Sequence, residues 1–193
     1  MAGDWLGGRR QEAATDRILD AAERLFTERD PASIGMNEIA AAAGCSRATL
    51  YRYFENRDAL RTAYVHRETR RLARAIAERI DGVDDPGERL IGAVAAALRM
   101  VRDSPALAAW FATSRPPIGG EFAGRSEVIT ASAAAFLDSL GPEDPAAVQR
   151  RARWLVRVLT SLLMVPGRDE ADERAMIEEF VVPIVTPAAA RRV

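Results

Sequence analysis

The chain has 193 residues, 27 of them basic and 28 acidic with a single His, giving a formal net charge of -1. Its 48% hydrophobic and 28% charged residues exclude a disordered chain, and the length suits one domain or a small module joined to a larger one. The only cysteine, Cys45, excludes an internal disulfide and the thiolate cluster of a structural zinc site.

The first twenty residues contain no continuous apolar run of signal-peptide type. The longest apolar stretch, residues 154–165, spans twelve residues and carries Arg157, short of the roughly 20 needed to cross a bilayer. These features predict a cytoplasmic protein with no membrane partner. Helical periodicity dominates, and no segment sustains the period-two alternation of a strand, so the fold class is all-α.

In chain order, residues 1–12, with Gly7, Gly8, Arg9 and Arg10, read as a flexible N-terminal arm. Ile18, Ala22, Leu25 and Phe26 mark one stripe of a first helix that ends near Asp30, ahead of Pro31. Met36, Ile39, Ala40 and Ala43 predict a short second helix stopped by Gly44, a residue suited to a left-handed C-terminus. Ser46 then offers an N-cap to a third helix reaching about Phe54. Asn56 as N-cap and Asp58 in the first turn open a long helix whose apolar face runs through Leu60, Tyr64, Leu72 and Ile76 to Ile80. Beyond a stop signal at residues 81–87, helices are predicted near 87–103, 105–113, 121–140, 145–165 and 170–186. Ser104-Pro105 and Asp144-Pro145 each pair a cap with a proline in the first turn, and Pro183 should kink or end the last helix. Residues 114–120 read as a gate or a plain turn. The domains are thus an arm (1–12), a three-helix module (13–56), a connecting helix (57–80) and a C-terminal helical bundle (81–193).

The two short helices around Gly44-Cys45-Ser46, under a preceding amphipathic helix, form a helix-turn-helix candidate. Leu50 and Phe54 should face the core and leave Arg47, Ala48, Thr49, Tyr51 and Arg52 toward solvent. Arg can pair with guanine, Ala and the Thr methyl can touch a thymine methyl, and the hydroxyls can bond phosphate oxygens. Residues 42–74 carry eight Arg against three acids, a local balance of +5 within a nearly neutral chain, as expected of a nucleic-acid surface attached to a non-binding domain. A basic module docking on an acidic protein is a second reading of the same charge. Catalysis has little support: no second His, no Ser-His-Asp or Cys-His spacing and no glycine-rich phosphate loop occur. No enzyme activity, cofactor or metal is expected. Cys45 reads as a packed thiol, and His66 as a solvated or core residue of the long helix.

The segments TDRILDAAERLFTERD and NEIAAAAGCSRATLYRYFENRDAL (residues 15–30 and 37–60) resemble the N-terminal domain of the tetracycline repressor (TetR) family of bacterial transcriptional regulators. Ile39-Ala40, Ala43-Gly44, Ser46, Thr49-Leu50-Tyr51, Tyr53-Phe54 and Leu60 carry the match, which covers about residues 14–62. The resemblance implies a homodimer of all-helical subunits on palindromic operator DNA, each with a cavity for a small-molecule effector. It implies base-edge contacts from Arg47 and Ala48 and sugar-phosphate contacts from Thr49, Tyr51 and Tyr53. Asn37, Arg57 and Thr15 match further positions that approach DNA, and Ser46 joins this set. Ile34 and Gly35 stand where hydroxyl residues commonly open the second helix, and Asp30 replaces a common glycine. Since the family's pocket is bordered by the short sixth helix, the resemblance favours Trp110 and Phe111 as effector contacts.

Met100, Phe122 and Phe136 are further candidates for an apolar ligand site between helices. Residues 154–165 are apolar around most of their circumference, and Met176, Ile177, Phe180, Val181 and Ile184 make a comparable stripe. Both predict a four-helix dimer interface that includes Trp154, Val158, Leu162, Met176, Phe180 and Ile184.

Overall fold

A computed structural model describes residues 5–112, 118–141 and 143–186. Its elements, in chain order, are α1 (Trp5–Glu28), α2 (Met36–Ala42), α3 (Arg47–Tyr53), α4 (Arg57–Arg79), α5 (Pro86–Asp103), α6 (Pro105–Ala108), α7 (Ile118–Arg125), α8 (Glu127–Asp138), α9 (Pro145–Met164), α10 (Glu170–Met176), a π-helical turn (Ile177–Val181) and α11 (Val182–Val185). The described residues contain no strand, and none of the helices is long and apolar enough to cross a membrane. The fold is all-α.

Local chemistry sets most boundaries. Asn56, Asp85, Ser104, Asp144 and Asp169 each accept a backbone N–H from the first turn of the helix they open. Pro86, Pro105 and Pro145 lie just inside their helices, where a missing N–H costs nothing.

Four expectations change. The backbone is helical from Trp5, so α1 takes in residues 5–12 of the expected arm. Its packed part, with Ile18, Leu19, Ala22 and Phe26 buried, supplies the nucleus, and propagation from an existing turn tolerates Gly7 and Gly8 at about 1 kcal/mol each. The expected helix 121–140 is two, α7 and α8, because Ser126 leaves the helical conformation and its Oγ accepts the Ile129 N–H at 3.2 Å. Residues 118–120, expected in a loop, open α7, and residues 114–117 lie outside the described ones. The last helix does not end at Pro183, and helical backbone continues to Val185. It widens into a π turn and restarts at Val182, which puts Pro183 in the first turn of α11.

Buried side chains form two clusters. One joins α1 to α4 and takes in Ala106 and Trp110 around α6. The other joins α5, α8, α9 and the last helix through Leu90, Val94, Leu98, Leu137, Ala152, Leu155, Ile177 and Val181. The first cluster therefore crosses the sequence division at residue 80. At its centre Trp110 meets Phe26 edge-on (5.5 Å), Phe122 edge-on (5.3 Å) and Tyr64 stacked (5.8 Å).

Candidate nucleic-acid interface

The turn between α2 and α3 is built from backbone first. Gly44 has φ +66°, and a Cβ there would have nothing within 4 Å, so conformation rather than space calls for glycine. The N–H groups of Gly44 and Cys45 return to the Ala41 and Ala40 carbonyls. Cys45 is half-buried against the first core cluster. Ser46 caps α3 by accepting the Thr49 N–H at 3.1 Å, and the two hydroxyls lie 2.9 Å apart.

Leu50 is fully buried and Phe54 nearly so, which fixes the rotation of α3. Arg47, Ala48, Tyr51 and Arg52 are exposed on the opposite face, with Ser46 at its start, while Thr49 and Tyr53 are half-buried at its edges. Two guanidiniums lie over rings of this same helix: Arg47 is 5.3 Å from the Tyr51 centroid and Arg52 is 5.5 Å from that of Tyr53. Such contacts are worth only about 0.5–1 kcal/mol at exposed sites, but they limit where the two cations point before a ligand arrives.

Neighbouring elements hold this face from behind. Asn37 is exposed at the second position of α2, and Thr15 is half-buried on α1. Gly35 has no capping side chain, and Glu38 reaches back to accept its N–H at 2.9 Å while pairing with Arg29 at 2.5 Å. The Gly35 N–H first, and then Arg29, hold the Glu38 carboxyl below its usual range. The end of α2 is capped from α1: Arg24 donates to the Ala42 carbonyl at 3.2 Å and Arg17 to that of Ala43 at 3.4 Å. Arg57, exposed at the start of α4, donates one N–H to the Ala32 carbonyl at 3.1 Å, and the buried Arg61 donates to that of Pro31. Burial, then the adjacent Arg57, pulls the Arg61 guanidinium below its usual range.

These partners revise the charge count. Arg61 and Arg67 are buried, and Arg67 binds Asp20 (2.6 Å), Glu23 (2.7 Å) and Glu68 (2.9 Å), tying α4 to α1. Burial works against that guanidinium's charge, but the hydrogen bonds it donates to Glu68 and Asp20 outweigh it and raise its pKa. Arg71 also pairs with Glu68. Of the eight arginines of residues 42–74, those exposed and without an acidic partner are Arg47, Arg52, Arg57, Arg70 and Arg74. Arg61 and Arg67 look like surface cations in sequence, and only the burial of their helical neighbours Leu60 and Tyr64 hints otherwise.

In the C-terminal half, a cavity of about 270 Å³ is lined by Val101, Arg102, Ala108, Phe111, Ala112, Leu163 and Met164. Of the five expected effector contacts, only Phe111 borders it. Trp110 and Phe122 pack in the first core, Phe136 packs on the second, and Met100 is half-buried on α5. Arg102, not anticipated from sequence, donates to both Glu173 oxygens (2.7 and 2.8 Å) and to the Leu162 carbonyl (2.9 Å). The arginine's hydrogen bonds are the main reason the Glu173 carboxyl lies below its usual range. His66 is half-buried, and burial followed by the neighbouring Arg70 lowers its pKa. No cluster of three or more His, Cys, Asp or Glu suited to a metal ion occurs among the described residues.

Of the expected dimer residues, Trp154, Val158, Leu162 and Met176 are half-buried, and Phe180 and Ile184 are 57% and 51% exposed.

An all-α chain with a capped helix-turn-helix and a cation-bearing outer face is a DNA-binding regulator by class. Residues 18–64 match the family described as bacterial regulatory proteins, tetR family. The chain is 77% identical over 191 residues to an HTH-type transcriptional regulator found in Mycobacterium tuberculosis strains H37Rv and CDC 1551 / Oshkosh, covering 98% of this chain and 95% of that one. It therefore belongs to the tetR family and is a helix-turn-helix transcriptional regulator. Its fold resembles that of the TetR family repressor AlkX of Dietzia sp. strain DQ12-45-1b, implicated in biodegradation of n-alkanes (TM-score 0.67, 24% identity, 88% of this chain and 93% of that one). It also resembles RolR in complex with the ligand resorcinol (TM-score 0.67, 20% identity, 96% and 97% covered).

Proposed function

We propose that this regulator is a cytoplasmic repressor that binds a near-palindromic operator as a homodimer and is released by a small, mainly apolar effector. The observation that carries the reading is the outer face of α3, where Arg47, Ala48, Tyr51 and Arg52 stand exposed over a buried Leu50. Arg47 and Ala48 read base edges in the major groove. Thr49, Tyr51, Tyr53 and Arg57 bind the sugar-phosphate backbone, supported by Asn37, Ser46 and Thr15. Two copies place their reading helices about 34 Å apart, or a multiple of that.

Dimerisation is supported by the exposure of Phe180 and Ile184 on the last helix, together with the only partial burial of Trp154, Val158 and Leu162 on α9. Effector binding is supported by the cavity at Phe111, and by the small-molecule ligand of RolR. Phe111 adjoins Trp110, whose indole stacks on Tyr64 of α4, so a ligand that displaces α6 moves the helix that begins at Arg57. Such a ligand shifts the equilibrium only by its difference in affinity for the two conformations. Trp110 and Phe122 lie along this route, whereas Phe136 packs on the second cluster.

The test is selection of bound duplexes from a random pool with the purified protein. An enriched palindrome is expected, and binding that is indifferent to sequence and confined to low salt would overturn the reading.

A further inference from the structure

The face that carries Phe180 and Ile184 also separates its charges by element. On α9, Arg153 and Arg157 are exposed one helical turn apart, beside the half-buried Trp154 and Val158. On the last helix, Glu179 is exposed beside Phe180. Among the described residues none of these three charges has a hydrogen-bond or ion-pair partner, whereas the adjacent Glu178 is paired with Arg174 at 2.9 Å. Unpaired charges of both signs thus lie next to exposed or half-buried apolar residues, the cations on α9 and the anion on the last helix, which pack together.

We infer that the proposed homodimer is held in register by Glu179 of one subunit seated between Arg153 and Arg157 of the other. A twofold axis brings each copy's α9 against the other's last helix, so every contact occurs twice. Opposite charges then meet at both ends of the interface. A partner of single charge sign would be repelled by one of the two helices. The two arginines leave the backbone about 6 Å apart along α9, near enough for their flexible side chains to converge on one carboxylate. At the rim of an apolar contact such pairs choose partner and register more than they add affinity.

This inference rests on the homodimer reading, and a charge-exchange experiment separates the two. Full-length wild type, R153E/R157E and E179R are compared by sedimentation equilibrium, with circular dichroism to check folding. All the altered side chains are exposed, so the helical content should not change. The wild type should be dimeric, and each variant alone should dissociate at least tenfold more readily, because like charges then face each other at both ends. Mixing the two variants should restore dimer formation, since all three residues are acidic in one chain and basic in the other. High salt should weaken the mixed dimer.

A monomeric wild type would overturn the homodimer reading together with this one. A dimeric wild type whose variants dimerise unchanged, or whose mixture is not rescued, would overturn only the charge register. Failure of rescue would be the result if these charges interacted within a chain, because each variant then carries its own repulsion.

Discussion

Arg47 and Arg57 separate the two jobs an exposed arginine does in the proposed complex. If Arg47 pairs with a guanine edge, Arg47→Ala should cost about 1–3 kcal/mol of operator binding and relax the preference at one base pair. Titrations against the selected operator and its single-base variants measure both effects, and equal losses at every sequence would remove it from base reading. Arg57 spends one N–H on the Ala32 carbonyl and keeps the rest for solvent. Arg57→Ala should weaken binding to all duplexes and lower the slope of log affinity against log salt by about one. An unchanged slope would leave Arg57 as a loop clamp only. The exposed side of α3 was legible, because Leu50 and Phe54 four residues apart fix the rotation of a seven-residue helix. The fate of the other arginines was not. Arg67 and Arg47 are the same letter, and only long-range partners such as Asp20 and Glu23, 47 and 44 residues away, make one of them structural.

The turn between α2 and α3 depends on one backbone conformation. Gly44→Ala introduces no clash, since nothing lies within 4 Å of the added Cβ, but it forces a side chain into φ +66°. The expected loss is about 1–2 kcal/mol in urea denaturation, and Gly44→Asn should recover part of it, because Asn tolerates the left-handed region better. Equal losses from both would mean that φ is not the constraint. Elsewhere a loop hangs on one ion pair: Glu173 accepts from Arg102 and from the Gly167 N–H at 2.9 Å, tying the segment after α9 back to α5. Because its folded pKa is depressed, the pair's contribution is complete above the unfolded carboxyl value of about 4.3. It is lost as pH falls through the folded value. Glu173→Gln should therefore lower stability by about 1–3 kcal/mol at pH 7 and flatten the decline between pH 5 and 3. Parallel urea midpoints for both proteins across that range would show that Glu173 carries none of the acid sensitivity. The starts of α6 and α9 were legible, because Ser104 and Asp144 each precede a proline. The break at Ser126 was hidden, since apolar residues continue on both sides of it and a cap in mid-pattern reads as an ordinary polar position.

At the scale of the molecule, the two halves do not share a clean border. Sequence punctuation at residues 81–87 is strong, yet Ala106 and Trp110 around α6 are buried in the same cluster as Phe26, Leu50 and Tyr64. No local pattern announces this, because a tryptophan one turn beyond Pro105 fits a surface cavity as well as a remote core. The indole fills space between α1, α4 and α7, with ring centroids 5.1 Å apart for Phe26 and Tyr64 beneath it. Trp110→Ala should then destabilise the whole protein by about 3–5 kcal/mol, and the N-terminal half should suffer as much as the C-terminal half. A fragment comprising residues 1–80 provides the sharper measurement. It retains every residue thought to touch DNA, but Phe26 and Tyr64 lose the tryptophan that covers them, and Leu107, Phe111 and Phe122 no longer pack alongside. Such a small module has little surplus stability to absorb that exposure. The fragment should lack a cooperative thermal transition by circular dichroism and bind the selected operator weakly even at concentrations where a dimer is not required. A sharp transition near that of the intact chain would show that the head is an independent domain, and that Trp110 merely rests against it.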